Sequence, residues 1–401
     1  MASDETMPSD EMTGGRAGRA RPTGGFYRPE LDGVRCLAFL AVFVAHAFHD
    51  TPFDVWLRLF GDRLGPWAAA VVRSGRFGVD LFFVLSAYLI TEILLRERSA
   101  RGSVDVKAFW MRRILRIWPL YFVFVLFGIL VAPRIMRVEA LSQGYAAAFL
   151  LFAGNWAIVL HGWQESVLMH LWSVSIEEQF YLTWPLVMRK LGRRALLGLV
   201  AALVPIAIAA RAYLIAAHGD GKGPEVWVNT IARLDPIAIG ILLAVVLDGR
   251  TPALSSARAR LAIAGGAAVI LGVARVDPLF TRVAVGSLAY TAVAIGCIAI
   301  VVGAMALGPR SVIATRAPVY LGKISYGAYV FHFFFVRLVH QRFPHPAEAL
   351  LMLGLTIATA ALSYRFLESP FLKLKDRFAR SAKHKARDGE AVAVATQVTP
   401  G

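Results

Sequence analysis

The chain has 401 residues, 57% hydrophobic and only 17% charged, with a formal net charge of +16. Soluble globular domains run at about 45–50% apolar and about 25% charged, so the composition excludes an ordinary soluble fold and indicates an integral membrane protein. The positive balance does not indicate a nucleic-acid partner, because Lys and Arg collect in the cytoplasmic loops of membrane proteins.

Residues 1–25 are polar and open with no apolar signal-peptide core, so they read as a disordered cytoplasmic tail ahead of an uncleaved first span. Eleven apolar segments follow, at about 34–49, 77–95, 114–132, 144–160, 172–188, 195–217, 231–248, 259–274, 283–306, 323–340 and 347–367. Basic clusters at 96–116, 189–194, 249–260, 308–323 and beyond 372 all belong on the cytoplasmic side. Parity then leaves no crossing for 144–160, which is expected to be a re-entrant or interfacial piece packed against protein. The expected architecture is an all-α, multi-pass bundle in the cell membrane. It has about ten transmembrane helices over residues 26–372, and both termini are cytoplasmic. The basic stretch 373–401 reads as a second disordered tail attracted to anionic membrane lipids. Cys36 and Cys297 lie inside apolar segments as small core residues, and no Cys/His cluster has metal-ligand spacing, so no metal is expected.

Ionisable groups inside such segments are costly and mark candidate sites. Arg35 and His46 are eleven residues apart on the first segment. That spacing is about three turns, so they share a face roughly 16 Å apart along the axis. A lone histidine there reads as packing, but a same-face arginine favours a site. In "GVDLFFVLSAYLIT", Asp80 reads either as a carboxylate that orients an imidazole or as one that favours a helix N-terminus, and Ser86 lies deeper. Arg113 and Arg116, at i and i+3, suit either cytoplasmic anchoring or phosphate recognition. Ser173, Glu177 and Tyr181, at i, i+4 and i+8, form one polar face. Arg211, Arg233, Asp235, Tyr326, Tyr329 and His332 are weaker candidates.

Taken in order, several motifs resemble the acyltransferase 3 family of membrane acyltransferases. They are "ELDGVRCLAFLAVFVAH", "GVDLFFVLSAYLIT", "RRILRIWPLY", "GNWAIVL", "HLWSVSIEEQFYLTWP", "RLDPIAIGILLA", "KISYGAYVFH" and "YRFLESP". One position departs: Ala87 stands where the family usually has glycine after the motif serine, Ser86. The resemblance implies the stand-alone form of an enzyme that moves an acyl group, usually acetyl, from cytoplasmic acyl-CoA to a hydroxyl, often on a carbohydrate. Surface polysaccharide, lipopolysaccharide, peptidoglycan and glycosides are all open as acceptors. It carries Arg35, His46, Arg113, Arg116 and Glu177 over as functional positions.

On this reading Arg113, Arg116 and Arg35 hold CoA phosphates, and His46 removes the acceptor's hydroxyl proton. Glu177 or Asp80 orients the imidazole. Arg35 and His46 would line one passage for the donor's long arm. Competing readings are a flippase or transporter of a glycan or lipid-linked precursor, and a glycosyltransferase using a lipid-linked donor.

Overall fold

In lipid, a backbone polar group is best satisfied inside its own helix, and the chain follows that rule. The computed structural model describes residues 27–276, 280–340 and 345–374, which contain helices and no strand. The polar tail 1–25 and the basic tail from 375 onward lie outside the described residues.

Every apolar segment is helical. α1 (Pro29–Ala47) is followed by α2 (Phe53–Ser74), α3 (Gly78–Arg101), α4 (Val106–Leu130) and the short α5 (Ala132–Met136). Then come α6 (Gln143–Leu150), α7 (Gly154–His161), α8 (Trp172–Lys190), α9 (Arg193–His218) and α10 (Pro224–Trp227). α11 (Leu234–Leu247), α12 (Ser256–Arg275), α13 (Val283–Leu307), α14 (Arg316–Lys323), α15 (Ser325–Val339) and α16 (His345–Ser363) complete the order. A π-helical turn, Tyr364–Glu368, extends α16.

Among the described residues, six helical stretches are long and apolar enough to cross a membrane: Phe53–Arg101, Val106–Leu130, Arg193–His218, Ser256–Arg275, Val283–Arg310 and Ala347–Leu374. Of the longer helices outside this set, two carry several charges and two are too short to span. α1 bears Glu30, Asp32 and Arg35, and α8 bears Glu177, Glu178, Arg189 and Lys190. α11 has 14 residues and α15 has 15, and much of each is buried.

The stretch 144–160 breaks in the middle. Phe152 takes a left-handed conformation (φ 54°) between α6 and α7. Its freed carbonyl accepts from Gln179 Nε2 at 3.0 Å, and the same amide nitrogen donates to Asn155 Oδ1 at 2.9 Å. Asn155 in turn donates to the Val228 carbonyl at 3.1 Å and to Thr230 Oγ1 at 2.9 Å. The irregular backbone is therefore satisfied by protein. α2 is not among the expected segments. It mixes Asp54, Arg58, Asp62 and Arg63 with apolar residues and kinks at Gly61, whose φ of 70° suits glycine.

α12 packs along α13, α3 against α11, and α1 against α3, α14 and α15. At the α3–α11 contact, Gly240 faces Ala87: a Cβ on Gly240 would lie 2.8 Å from the Ala87 Cβ. The close approach that Ala87 does not supply comes from Gly240 on the opposite helix. Arg211 ties α9, α11 and α13 together, forking onto Asp235 at 3.1 Å on both nitrogens and donating to the Ser287 and Ala232 carbonyls. Both cysteines are buried and free.

Candidate active site

Two cavities lie along the axis that α1 spans. At the Arg35 end is a narrow slot of about 100 Å³, lined by Arg35, Arg113, Arg116, Ser86, Glu177 and Tyr181 together with Phe82, Ser173, Tyr326 and Tyr329. At the His46 end is a larger cavity of about 990 Å³. Its lining includes His46, His170, four tryptophans (Trp56, Trp163, Trp172, Trp227) and the cations Arg73, Arg76, Lys222 and Arg337.

In the slot, α3, α4 and α8 bring their polar faces together. Glu177 accepts from Ser86 Oγ at 3.0 Å on one oxygen and from Tyr181 OH at 3.0 Å on the other. The i, i+4 spacing of Glu177 and Tyr181 along α8 produces the second bond directly. Arg35 pairs with Asp32 at 2.9 Å, one helical turn away. Arg113 lies near the Phe109 and Tyr181 rings, and its Nε is buried without a hydrogen-bond partner. A buried, unanswered guanidinium nitrogen in a slot with two further arginines suits an anionic ligand. Pockets for whole drug-sized ligands are about 300–1,000 Å³, so the slot as it stands admits only a small or slender group.

In the larger cavity, the last turn of α1 presents His46. Its Nδ1 lies 3.1 Å from the Val42 carbonyl and 3.1 Å from His332 Nε2. His332 is fully buried on α15, and its Nδ1 lies 2.5 Å from the Tyr329 carbonyl. His170, in the turn before α8, completes a group of three imidazoles, its ring centroid 5.1 Å from that of His332. Its Nε2 faces the Val330 carbonyl at 3.1 Å.

Tyr329 lines both spaces. Its hydroxyl sits 2.6 Å from Ser173 Oγ and donates to the His170 carbonyl at 2.8 Å. Arg35 and His46 therefore do not open onto one continuous passage here; the Tyr329 side chain stands between their cavities.

Neither carboxylate expected to orient His46 has His46 as a partner. Glu177 belongs to the arginine slot. Asp80 is fully buried and takes Arg233 Nη2 at 2.7 Å. Arg233 is itself fully buried between the Trp227 and Tyr290 rings, 4.7 Å from each centroid. The reason is tertiary: the turn before α11 delivers Arg233 against the first turn of α3, and a buried carboxylate takes the nearest cation. Asp80 thus sits in a structural ion pair. Of the other candidates, Ser86, Ser173 and Tyr181 fall in or beside the slot, and His332 falls on His46. Sequence reasoning passed over His170, which lies three residues before Ser173 in the tight turn ahead of α8, and gave Tyr329 little weight. Among the described residues, no group of three or more His, Cys, Asp or Glu side chains could hold a metal.

The acyltransferase domain family matches residues 28–367. Peptidoglycan O-acetyltransferase OatA of Listeria monocytogenes is 30% identical over 376 residues, covering 86% of this chain and 56% of that protein. O-acetyltransferase OatA of Staphylococcus aureus is 26% identical over 398 residues, covering 93% of this chain and 62% of that protein. The chain thus spans roughly three-fifths of the length of these relatives. No solved structure matches it. The motifs, the helical membrane architecture and the match over nearly the whole apolar region agree: the chain belongs to the acyltransferase 3 family.

Proposed function

We propose that the chain is a membrane O-acetyltransferase that takes acetyl from acetyl-CoA at the arginine slot and delivers it to a hydroxyl of a carbohydrate acceptor in the histidine cavity. The observation that carries this reading is the pair of cavities that both reach Tyr329: a narrow slot lined by Arg35, Arg113, Arg116 and Glu177, and a larger one lined by His46, His170 and four tryptophans. Arg113, Arg116 and Arg35 hold the donor's phosphates at the mouth of the slot. The tryptophans of the larger cavity offer flat apolar faces to sugar rings, and its cations suit acidic or phosphate-bearing glycans. The name of the Listeria relative, a peptidoglycan O-acetyltransferase, supports a glycan acceptor.

His46 acts as general base. As the acceptor oxygen attacks the thioester carbonyl, its proton passes to the imidazole, the new C–O bond forms and the C–S bond breaks. The proton then returns to the departing thiolate. Ser86 and Tyr181 hold Glu177 beside the arginines, where it balances their charge.

The membrane arrangement that fits this chemistry has ten crossings with both termini cytoplasmic, in the cell membrane. The arginine mouth then faces the cytoplasm, where acyl-CoA is made, and the histidine cavity faces outward. The broken segment 144–160 packs inside the bundle without crossing.

The test is transfer by purified protein in lipid nanodiscs from radiolabelled acetyl-CoA to peptidoglycan strands, lipopolysaccharide or methyl glycosides. Label should appear on one acceptor class with wild type and vanish with folded His46→Ala. Near-wild-type turnover by that variant would overturn the assignment. Glycan movement across vesicles without any transfer would favour a flippase. With acceptor omitted, label trapped on His46 would mean that the acetyl group passes through the imidazole, and a clean protein would mean direct transfer.

A further inference from the structure

A neutral imidazole carries one N–H and one lone pair, and its neighbours fix which nitrogen has which. His332 Nδ1 lies 2.5 Å from the Tyr329 carbonyl, which only accepts, so Nδ1 holds the proton and Nε2 holds the lone pair. His46 Nδ1 lies 3.1 Å from the Val42 carbonyl and 3.1 Å from that His332 lone pair. Facing two acceptors, His46 Nδ1 must be the protonated nitrogen. His46 Nε2 is left with the lone pair and has no hydrogen-bond partner among the described residues.

From this geometry we infer that His332 is the positioning residue for His46, filling with a neutral imidazole the place in which a carboxylate is usual. The inference rests on His46 being the base. His332 touches neither donor nor acceptor. It aims the His46 ring by accepting from Nδ1, which keeps the basic lone pair on Nε2. When Nε2 takes the acceptor's proton, the imidazolium carries two N–H groups, and the one on Nδ1 is answered by the Val42 carbonyl and His332 Nε2 together. No proton needs to leave Nδ1, and His332 keeps its own on the Tyr329 carbonyl.

The surroundings hold His332 to this task. It is fully buried, with the Phe39 ring at 6.3 Å and the His170 ring at 5.1 Å, both packed edge-on. His170 does not take this place: its Nε2 lies 3.1 Å from the Val330 carbonyl. The carboxylates that could have served are engaged elsewhere, Asp80 by Arg233 and Glu177 by Ser86 and Tyr181. A neutral partner also avoids burying a second unpaired charge beside the base.

The experiment compares His332→Phe, which keeps a ring and removes the acceptor, with His332→Gln, whose amide oxygen reaches the place of Nε2. Both are made in the full chain and assayed in nanodiscs with radiolabelled acetyl-CoA and whichever glycan the wild type labels. His332→Phe should lower kcat by about 100-fold while leaving KM for acetyl-CoA within about twofold, and His332→Gln should recover about tenfold of the loss. His332→Met stands in if the aromatic ring disturbs packing. The inference is overturned if His332→Phe keeps kcat near wild type, or if folded His332→Gln is as slow as His332→Phe. An active His46→Ala would instead sink the base assignment itself, so the two failures are distinguishable.

Discussion

Tyr329 and Ser173 join the two halves of the site: the tyrosine hydroxyl lies 2.6 Å from Ser173 Oγ in the slot, while its ring packs 5.4 Å from that of His170 in the larger cavity. The side chain is a partition held by two hydrogen bonds, the second to the His170 carbonyl. On the proposed route, an acetyl group moving from the arginine slot to His46 would have to pass it.

Tyr329→Ala removes the partition and lets water from the larger cavity reach the donor. The expected outcome is acceptor-independent hydrolysis of acetyl-CoA well above the wild-type rate, followed as free thiol released over time. Tyr329→Phe keeps the ring and should not leak. Equal hydrolysis by wild type and Tyr329→Ala would show that the ring does not separate the two spaces.

The Asp80–Arg233 pair is fully buried on both sides. Removing one partner of such a pair costs about 3–5 kcal/mol, because the other charge is left alone in an apolar interior. Asp80→Asn should therefore lower the thermal unfolding midpoint in detergent sharply. The double change Asp80→Leu with Arg233→Met should recover most of the loss. A folded Asp80→Asn that unfolds like wild type but has no turnover would return Asp80 to the chemistry.

Arg113 offers a buried, unanswered guanidinium nitrogen to the slot. A hydrogen bond to a charged group is worth about 1.5–3 kcal/mol, so Arg113→Gln should raise KM for acetyl-CoA by about 10- to 100-fold. Turnover at saturating donor should change much less. A steady-state titration of acetyl-CoA separates the two parameters, and an unchanged KM would remove Arg113 from donor binding.

Gln179 holds the break between α6 and α7 closed. Gln179→Leu leaves the Phe152 carbonyl and the Asn155 side chain without this partner, at a cost of about 1–3 kcal/mol per buried group. Faster amide hydrogen exchange at residues 151–157 than in α8 of the same sample is the expected signature. Unchanged protection would mean that the break is held by other contacts.

The helices were legible because a run of apolar residues in lipid has one good backbone solution, whereas the break in segment 144–160 at Phe152 was not, since charge parity speaks only to whether a segment crosses. α2 escaped because its polar residues hide its length, as Asp62, Arg63 and Pro66 show. The slot was largely readable, since Glu177 and Tyr181 are neighbours on one helix face and Arg113 and Arg116 on another. The partners of His46 and Asp80 were not, because they come from 286 and 153 residues away and local spacing carries no trace of them. Asp80 reads from sequence either as a carboxylate that orients an imidazole or as one at a helix N-terminus; the fold places it in the first turn of α3 with a buried arginine as partner.

The two cysteines, Cys36 at 3% exposure and Cys297 at 0%, are buried and are expected to be silent to water-soluble maleimides. Single new thiols can therefore be introduced without first stripping the native ones, and their labelling from intact cells reads which loop faces which compartment. A thiol at Lys222 should react from outside. One at Arg250 should react only after the cells are opened, and the reverse pattern would turn the bundle upside down.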